Sequence, residues 1–306
     1  MAQTANLKIL TVVVTHNRRA LLERCLDHLN LQARRPDQTL VINNASTDGT
    51  ESMLAIRGVR CLTQENLGSA GGWHRGISVA LDEGFDAVWL MDDDGFPDRQ
   101  ALARLEEVLR PGVACAASLV VREDDPERFV FPHPVLDRTG LPVLFAPRRK
   151  LYTVNDLARY AKGETYPFAH FFNGALISCA AIRRVGNVNR DYFIFGEEVD
   201  YFFRLREAGE VCSVLGARHY HPDVSGRPYT AQKIYYYVKN TLVINRRYLN
   251  RPLQRNLLTV AAALGRTAWR NGVGEALSYL VGRQAPALYR AVARGLRGEV
   301  GKDFHG

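Results

Sequence analysis

Cysteine, tryptophan and methionine are scarce in this chain of 306 residues, at five, three and three copies. The cysteines, at 25, 61, 115, 179 and 212, are odd in number, widely spread and nowhere spaced C-x-x-C. Neither a disulfide framework nor a structural zinc site follows from that pattern. No run of 18 uncharged apolar residues occurs, so a spanning helix is not expected. The opening MAQTANLKIL has neither the basic start nor the apolar stretch of a signal peptide, and a cytoplasmic protein is expected. There is no G-x-x-x-x-G-K-[ST], which removes a P-loop, and Gly68, Gly71, Gly72 and Gly76 do not spell G-x-G-x-x-G. Low-complexity bias is missing too: with 46% hydrophobic and 24% charged residues the composition is globular, long enough for one large α/β domain with an appendage or for two modest domains.

The formal charge of +8 is unevenly spread. From Lys233 onward there are 13 Lys and Arg against Glu275, Glu299 and Asp303, a net +10, which leaves −2 for the first 232 residues. A near-neutral body therefore carries a basic tail, and such tails attract nucleic acid, anionic membrane or acidic partners.

Along the first hundred residues apolar runs alternate with amphipathic stretches, the pattern of β-α-β units around a mostly parallel sheet. Strands are predicted at 7–14, 39–42, 59–62, 87–91 and 113–121, and a helix carries Leu21, Leu22, Cys25, Leu26 and Leu29 on one face. The glycine-rich stretch 65–72 reads as a loop opening a helix over 73–82, with a backbone able to approach a phosphate or sugar closely. Between about 122 and 170 six prolines loosen the pattern, as in a variable insertion bordering a site. Order returns with a helix over 199–208 and a strand over 211–215. Helices then dominate, at 232–249, 253–271, 275–282 and 286–297. The expected division is a catalytic region over 1–228 and a basic helical region over 229–306.

Candidate chemical groups sit where strands or helices begin and end: Thr15, Asn43, Asn66, Asp92 and Glu198. In open α/β sheets ligands bind outside the carboxyl ends of the strands, so these loops should converge. Asp92-Asp93-Asp94 follows the apolar Trp89-Leu90-Met91. Three such carboxylates can chelate a hard divalent cation, with Asp92 and Asp94 facing one ion and Asp93 pointing elsewhere. A solvated acidic turn is the plainer alternative, but the run before it is too apolar for a casual surface turn. Glu197-Glu198-Val199-Asp200 is a second acidic cluster at a helix start, where carboxylates complement the dipole and can also serve as a base. His219-Tyr220-His221 follows the next strand and offers an imidazole to a metal shell.

In this order, Val12-Val13-Val14-Thr15-His16-Asn17-Arg18, Asn43-Asn44-Ala45-Ser46-Thr47-Asp48-Gly49-Thr50, Asp92-Asp93-Asp94 and Glu197-Glu198-Val199-Asp200 with Arg204 resemble the family 2 inverting glycosyltransferases of GT-A fold, over about residues 7–225. The stretch Glu65-Asn66-Leu67-Gly68-Ser69-Ala70-Gly71-Gly72-Trp73-His74-Arg75-Gly76 is similar to that of galactofuranosyltransferases and the related rhamnosyltransferases. The resemblance implies that Thr15, Asn17, Arg18, Asn43, Asn66, Gly72, Arg75 and Asp93 bind a UDP- or dTDP-sugar. It implies that Asp92, Asp94 and His221 hold Mn²⁺ or Mg²⁺, with His219 the competing ligand. Glu198 takes the catalytic-base position, and Asp200 positions the acceptor or supports the site. Asn43 stands where many relatives carry an aspartate.

The implied reaction moves a sugar, galactofuranose before rhamnose, to a glycan or polyprenyl-linked acceptor in cell-surface polysaccharide synthesis. A nucleotidyltransferase would want a glycine-rich loop where Thr15-His16-Asn17-Arg18 stands, and a non-catalytic scaffold would not need Asp92, Asp94 and Glu198. A lipid-linked acceptor would place the protein at the inner membrane face, with residues 233–306 as a peripheral contact. Arg246, Arg247, Arg251, Arg255, Arg266 and Arg270 interleave there with Leu253, Leu257, Leu258, Val260, Leu264 and Trp269. The alternative is a helical subdomain packed on the body or on another subunit of a homo-oligomer. Nucleic acid is disfavoured because no recognised binding motif is present.

Overall fold

A computed structural model describes residues 7–226 and 229–304. The chain divides into two compact units, one of Met1–Val188 with Tyr201–Asp223 and one of Asn189–Asp200 with Val224–Gly306. The sequence boundary at 228/229 abuts residues 227 and 228, which lie outside the described residues.

The first unit opens with β1 (Ile9–Thr15), α1 (Arg19–Asn30), β2 (Gln38–Asn44), α2 (Thr50–Ile56), β3 (Arg60–Gln64), α3 (Gly68–Asp82) and β4 (Ala87–Asp92). A two-residue β5 (Phe96–Pro97), α4 (Ala101–Val108) and β6 (Val113–Arg122) follow. The proline-rich stretch is built rather than loose: β7 (Arg128–Pro134), β8 (Lys150–Thr153), α5 (Val154–Ala158) and β9 (Thr165–Tyr166) enclose a core of Phe129, Val135, Leu151, Leu157 and Tyr166. Next come β10 (Asn173–Ser178), α6 (Cys179–Val185), α7 (Glu197–Ala208), which enters this unit only from Tyr201, and β11 (Glu210–His221).

The strands form one sheet ordered β3-β2-β1-β4-β10-β6-β11-β5. β1 runs parallel to β2 and β4, β2 to β3, and β6 to β11, while β10 lies antiparallel between β4 and β6. Alternation sorts the side chains onto two faces. Leu10, Val12 and Val14 pack with Trp73 and Ile77 of α3, and Ile9 and Val13 pack with Leu22, Cys25, Leu26 and Leu29 of α1. Both faces are covered by helices, which is why the central strands read as continuous apolar runs.

Two boundaries differ from the sequence reading. Helix α3 begins at Gly68, so Gly71 and Gly72 lie inside it. The glycines there serve close packing: a Cβ on Gly72 would meet Val14 Cγ1 at 2.6 Å and one on Gly76 would meet Val12 Cγ1 at 2.3 Å. Strand β11 runs on to His221, because its ladder with β6 shifts register between Val214 and Arg218 and then resumes. His219 and His221 are therefore strand residues two apart on one face, not part of a following loop.

The second unit gathers α8 (Ala231–Tyr248), α9 (Pro252–Asn271), α10 (Val273–Val281) and α11 (Ala285–Arg297), close to the four helices expected from periodicity. Tyr235, Tyr236, Leu242, Ala263, Tyr279 and Leu288 form its core. Lys239 is wholly buried yet satisfied, bonded to Asp303 Oδ1 at 2.5 Å and the Gly301 carbonyl at 2.7 Å.

The packing of α3 gives a direct test. Gly76→Ala should lose about 1 to 3 kcal/mol in urea unfolding through overpacking against Val12. The loss should be less than additive when combined with Val12→Ala; full additivity would mean that the two residues do not share this contact.

Candidate active site

The carboxyl ends of β1, β2, β3 and β4 lie in register, with Val14 opposite Asp92, Thr15 opposite Asn43, and Asn43 opposite Thr63. The structure thus brings Thr15, Asn43 and Asp92 to one edge, as the strand-end reading expects.

At that edge the aspartates are arranged differently from simple alternation. Asp93 and Asp94 are both buried, and Arg18 Nη1 lies 3.0 Å from Asp93 Oδ1 and 2.9 Å from Asp94 Oδ2. Thr15 donates its hydroxyl to Asp93 Oδ2 at 2.7 Å. Asp93 therefore points at Arg18 together with Asp94. Burial raises the Asp93 carboxyl above its ordinary range, and Thr15 and Arg18 only partly oppose this. For Arg18 burial pulls downward, but the charges of Asp93 and Asp94 prevail and hold its proton more tightly. Asp92 is half-buried, and its backbone N–H donates to the Phe172 carbonyl at 2.8 Å.

The short β5 pairs Pro97 with His219 and Phe96 with Tyr220, which ties the end of the aspartate loop to β11. As a result His221 Nε2 stands 3.0 Å from Asp94 Oδ1. The His221 Nδ1 atom is 2.7 Å from the Pro222 carbonyl, which can only accept, so Nδ1 carries the proton and donates it. His219 differs: it is wholly buried, and a Cβ on Gly95 would stand 2.3 Å from its Nε2. Burial, with His221 nearby, pulls the His219 imidazole down to about 3 and keeps it neutral. Among the described residues no group of three or more His, Cys, Asp or Glu is already gathered as a metal cluster. The donor set nonetheless fits a divalent ion: hard carboxylates beside an imidazole whose other nitrogen is fixed by a backbone carbonyl, the usual outer-shell arrangement of a ligating histidine.

Around this centre the remaining candidates mostly build loops. Asn17, at φ 53°, accepts from Thr47 N at 2.7 Å and donates its own N–H to Ser46 Oγ at 2.9 Å. Asn43 is wholly buried, with Nδ2 donating to Thr63 Oγ1 at 3.3 Å and Oδ1 accepting from Ser46 N at 3.0 Å. Asn66 Oδ1 accepts from Gly68 N at 3.1 Å in the turn just before α3. Gly72 is buried against Val14, and Arg75 is exposed on α3.

The second acidic cluster occupies the first turn of α7, within the second unit. Glu197 is buried and Glu198 half-buried. Asp200 is buried, its Oδ1 accepting from the Tyr248 hydroxyl at 2.7 Å with Arg247 Nη1 at 3.4 Å. These contacts tie the first turn of α7 to α8 within the second unit. Tyr248 was not singled out by the sequence, because one tyrosine 48 residues away carries no local pattern.

The family model for glycosyl transferase family 2 matches residues 11–177. The chain belongs to this family. It is similar to galactofuranosyltransferase GlfT1 of Mycobacterium tuberculosis, 34% identical over 223 residues and covering 70% of each chain. The N-acetylglucosaminyl-diphospho-decaprenol L-rhamnosyltransferase of the same organism is 32% identical over 222 residues, covering 65% of this chain and 70% of that one. Among solved structures, mannosyltransferase PcManGT from Pyrobaculum calidifontis, in complex with GDP-Man and Mn²⁺, superposes with a TM-score of 0.55 at 19% identity, covering 95% of this chain and 86% of that chain. This family 2 glycosyltransferase therefore has the GT-A fold expected from its motifs.

Removing the Arg18 charge should expose the cost of the aspartates. Arg18→Met leaves buried carboxylates with one partner fewer, a loss of about 1 to 3 kcal/mol. A carboxyl with a raised folded-state pKa binds its proton more tightly when folded, so the loss should be largest at neutral pH and shrink as pH falls. Urea unfolding between pH 5 and 8 reads this; a pH-independent loss would contradict it.

Proposed function

We propose that this glycosyltransferase moves galactofuranose from UDP-galactofuranose to a glycan or polyprenyl-linked acceptor, with inversion, assisted by Mn²⁺ or Mg²⁺. The donor rests on the likeness to the galactofuranosyltransferase, and the observation that supports the metal is the His221 imidazole, its Nδ1–H bonded to the Pro222 carbonyl and its Nε2 aimed at Asp94 on the carboxyl edge of the sheet. That aim supports His221 rather than the enclosed His219 as the third ligand beside Asp92 and Asp94. The bound ion would act as a Lewis acid on the diphosphate leaving group.

On the donor side the reading gives Thr15, Asn17, Arg18, Asn43, Asn66, Gly72, Arg75 and Asp93 to the nucleotide-sugar. Most of them act by shaping the loops, with Arg18 holding Asp93 and Asp94, while the exposed Arg75 offers positive charge. Glu198 accepts the proton of the acceptor hydroxyl as that oxygen forms a bond to the anomeric carbon. The bond from that carbon to the diphosphate breaks on the opposite face, its electron pair leaves with UDP, and the configuration inverts. Asp200 supports the turn that bears Glu198. The likeness to the rhamnosyltransferase favours one second reading, transfer from dTDP-rhamnose by the same residues.

We also propose that the second unit docks on the inner face of an anionic membrane. No helix among the described residues is long and apolar enough to cross one. The support is the exposure of Leu253, Leu257, Trp269 (88%) and Val281 (90%), and of Arg251, Arg270 and Arg283, the last of which pairs with Glu275. The other arginines of the tail are not equivalent. Arg255 is buried on Asn250, Arg246 donates to the Leu296 carbonyl, and Arg247 lies by Asp200.

Transfer should stop in excess EDTA and in Asp94→Ala. Glu198→Gln should lower turnover by roughly 10²-fold or more while UDP affinity holds. Activity that survives EDTA would overturn the metal role, a near wild-type Glu198→Gln the base role, and consumption of dTDP-rhamnose alone the donor. For the membrane, sedimentation with anionic vesicles should weaken in Trp269→Ser/Leu257→Ser and as salt shortens the Debye length from about 10 Å to about 3 Å. Unchanged sedimentation would exclude membrane docking through these side chains.

A further inference from the structure

The segment that leads into α7 adopts a backbone that its residues do not favour. Phe193 has φ 62° and ψ −58°, and the Ile194 N–H donates to the Tyr192 carbonyl at 2.7 Å. Together these make a γ-turn of the rare positive-φ kind. Phe195 follows at φ 60° and Gly196 at φ 95°, and the helix opens with Asp200 N donating to the Gly196 carbonyl at 2.8 Å. Two aromatic residues at positive φ within three positions persist only where the surroundings over-determine them.

The surroundings do so through one side chain. Asn240, wholly buried on α8, directs Nδ2 at three carbonyls: Tyr192 at 3.1 Å, Ile194 at 2.9 Å and Phe195 at 2.7 Å. Carbonyls only accept, so the amide orientation is fixed, and its Oδ1 is left buried without a partner among the described residues. The side chain is thus oriented by the turn at the expense of its own acceptor. Tyr236 and Tyr237, one turn earlier on α8, receive Phe193 and Phe195 at ring-centroid distances of 5.3 and 6.5 Å. A Cβ on Gly196 would meet Tyr192 at 2.8 Å and Asn240 Cβ at 3.0 Å, so the chain is pressed onto this clamp.

We propose that Asn240 is a positioning residue: by clamping the carbonyls of the turn it sets where the first turn of α7, and with it Glu198, is held. This rests on the reading of Glu198 as the base. Asn240→Asp is nearly isosteric but turns an acceptor toward three acceptors, Asn240→Leu removes the donors, and Asn240→Ser keeps one.

The experiment measures UDP release from UDP-galactofuranose with Mn²⁺, with water or a polyprenyl-linked acceptor as nucleophile, alongside UDP affinity and thermal unfolding. A misplacement of about 1 Å can cost about 10²-fold. The Asp and Leu variants should therefore lose kcat on that order at unchanged UDP affinity, with Ser intermediate. On a Glu198→Gln background the Asn240 change should add nothing further, because the group it places is already disabled. Wild-type kcat in Asn240→Asp, or losses that multiply with Glu198→Gln, would overturn the positioning role. A near wild-type Glu198→Gln enzyme would instead refute the base assignment beneath it.

Discussion

Asp93 and Asp94 are buried carboxylates at the end of an apolar strand, and their charge must be balanced where they stand. Unpaired carboxylates in such a setting either neutralise or destabilise the fold. Arg18 between them and the Thr15 hydroxyl supply that balance, both from the end of β1 and the loop after it. The arrangement depends on β1 and β4 being neighbours in register and on β5 pairing with β11. Sheet order and site electrostatics are therefore one requirement: a strand slip of one residue would turn the carboxylates into the core.

The same economy of space appears in α3. A helix that opens at the sheet's carboxyl edge must lie close to β1, and Gly72 and Gly76 allow the approach to Val14 and Val12. Glycines in a ligand-facing loop and glycines in a tight helix-strand contact look alike in a sequence, since both answer to the missing Cβ. The second unit shows the opposite device. A buried donor, Asn240, holds the carbonyls of a turn that local preference opposes, and a buried lysine closes the C-terminal segment on Asp303.

The α/β class, the two-sided parallel core, the four tail helices and the motif order were legible because each rests on a local pattern: alternation, a 3.6 period, or residues within a few positions of a strand end. The family followed from the same short motifs, Thr15 to Arg18, Asn43 to Thr50 and the aspartate triplet. Tertiary structure alone decided the rest. That Asp93 shares Arg18 with Asp94 depends on side-chain torsions and a partner 75 residues away. The register shift in β11, which sets His221 against Asp94 and closes His219 in beside Gly95, arises from pairing with β6 and β5 rather than from any pattern in the His-Tyr-His run. Tyr248 and Asn240 act on groups more than 40 residues away. A sequence states which donors and acceptors exist, but only the folded chain brings them within the roughly 3 Å at which a hydrogen bond or ion pair forms.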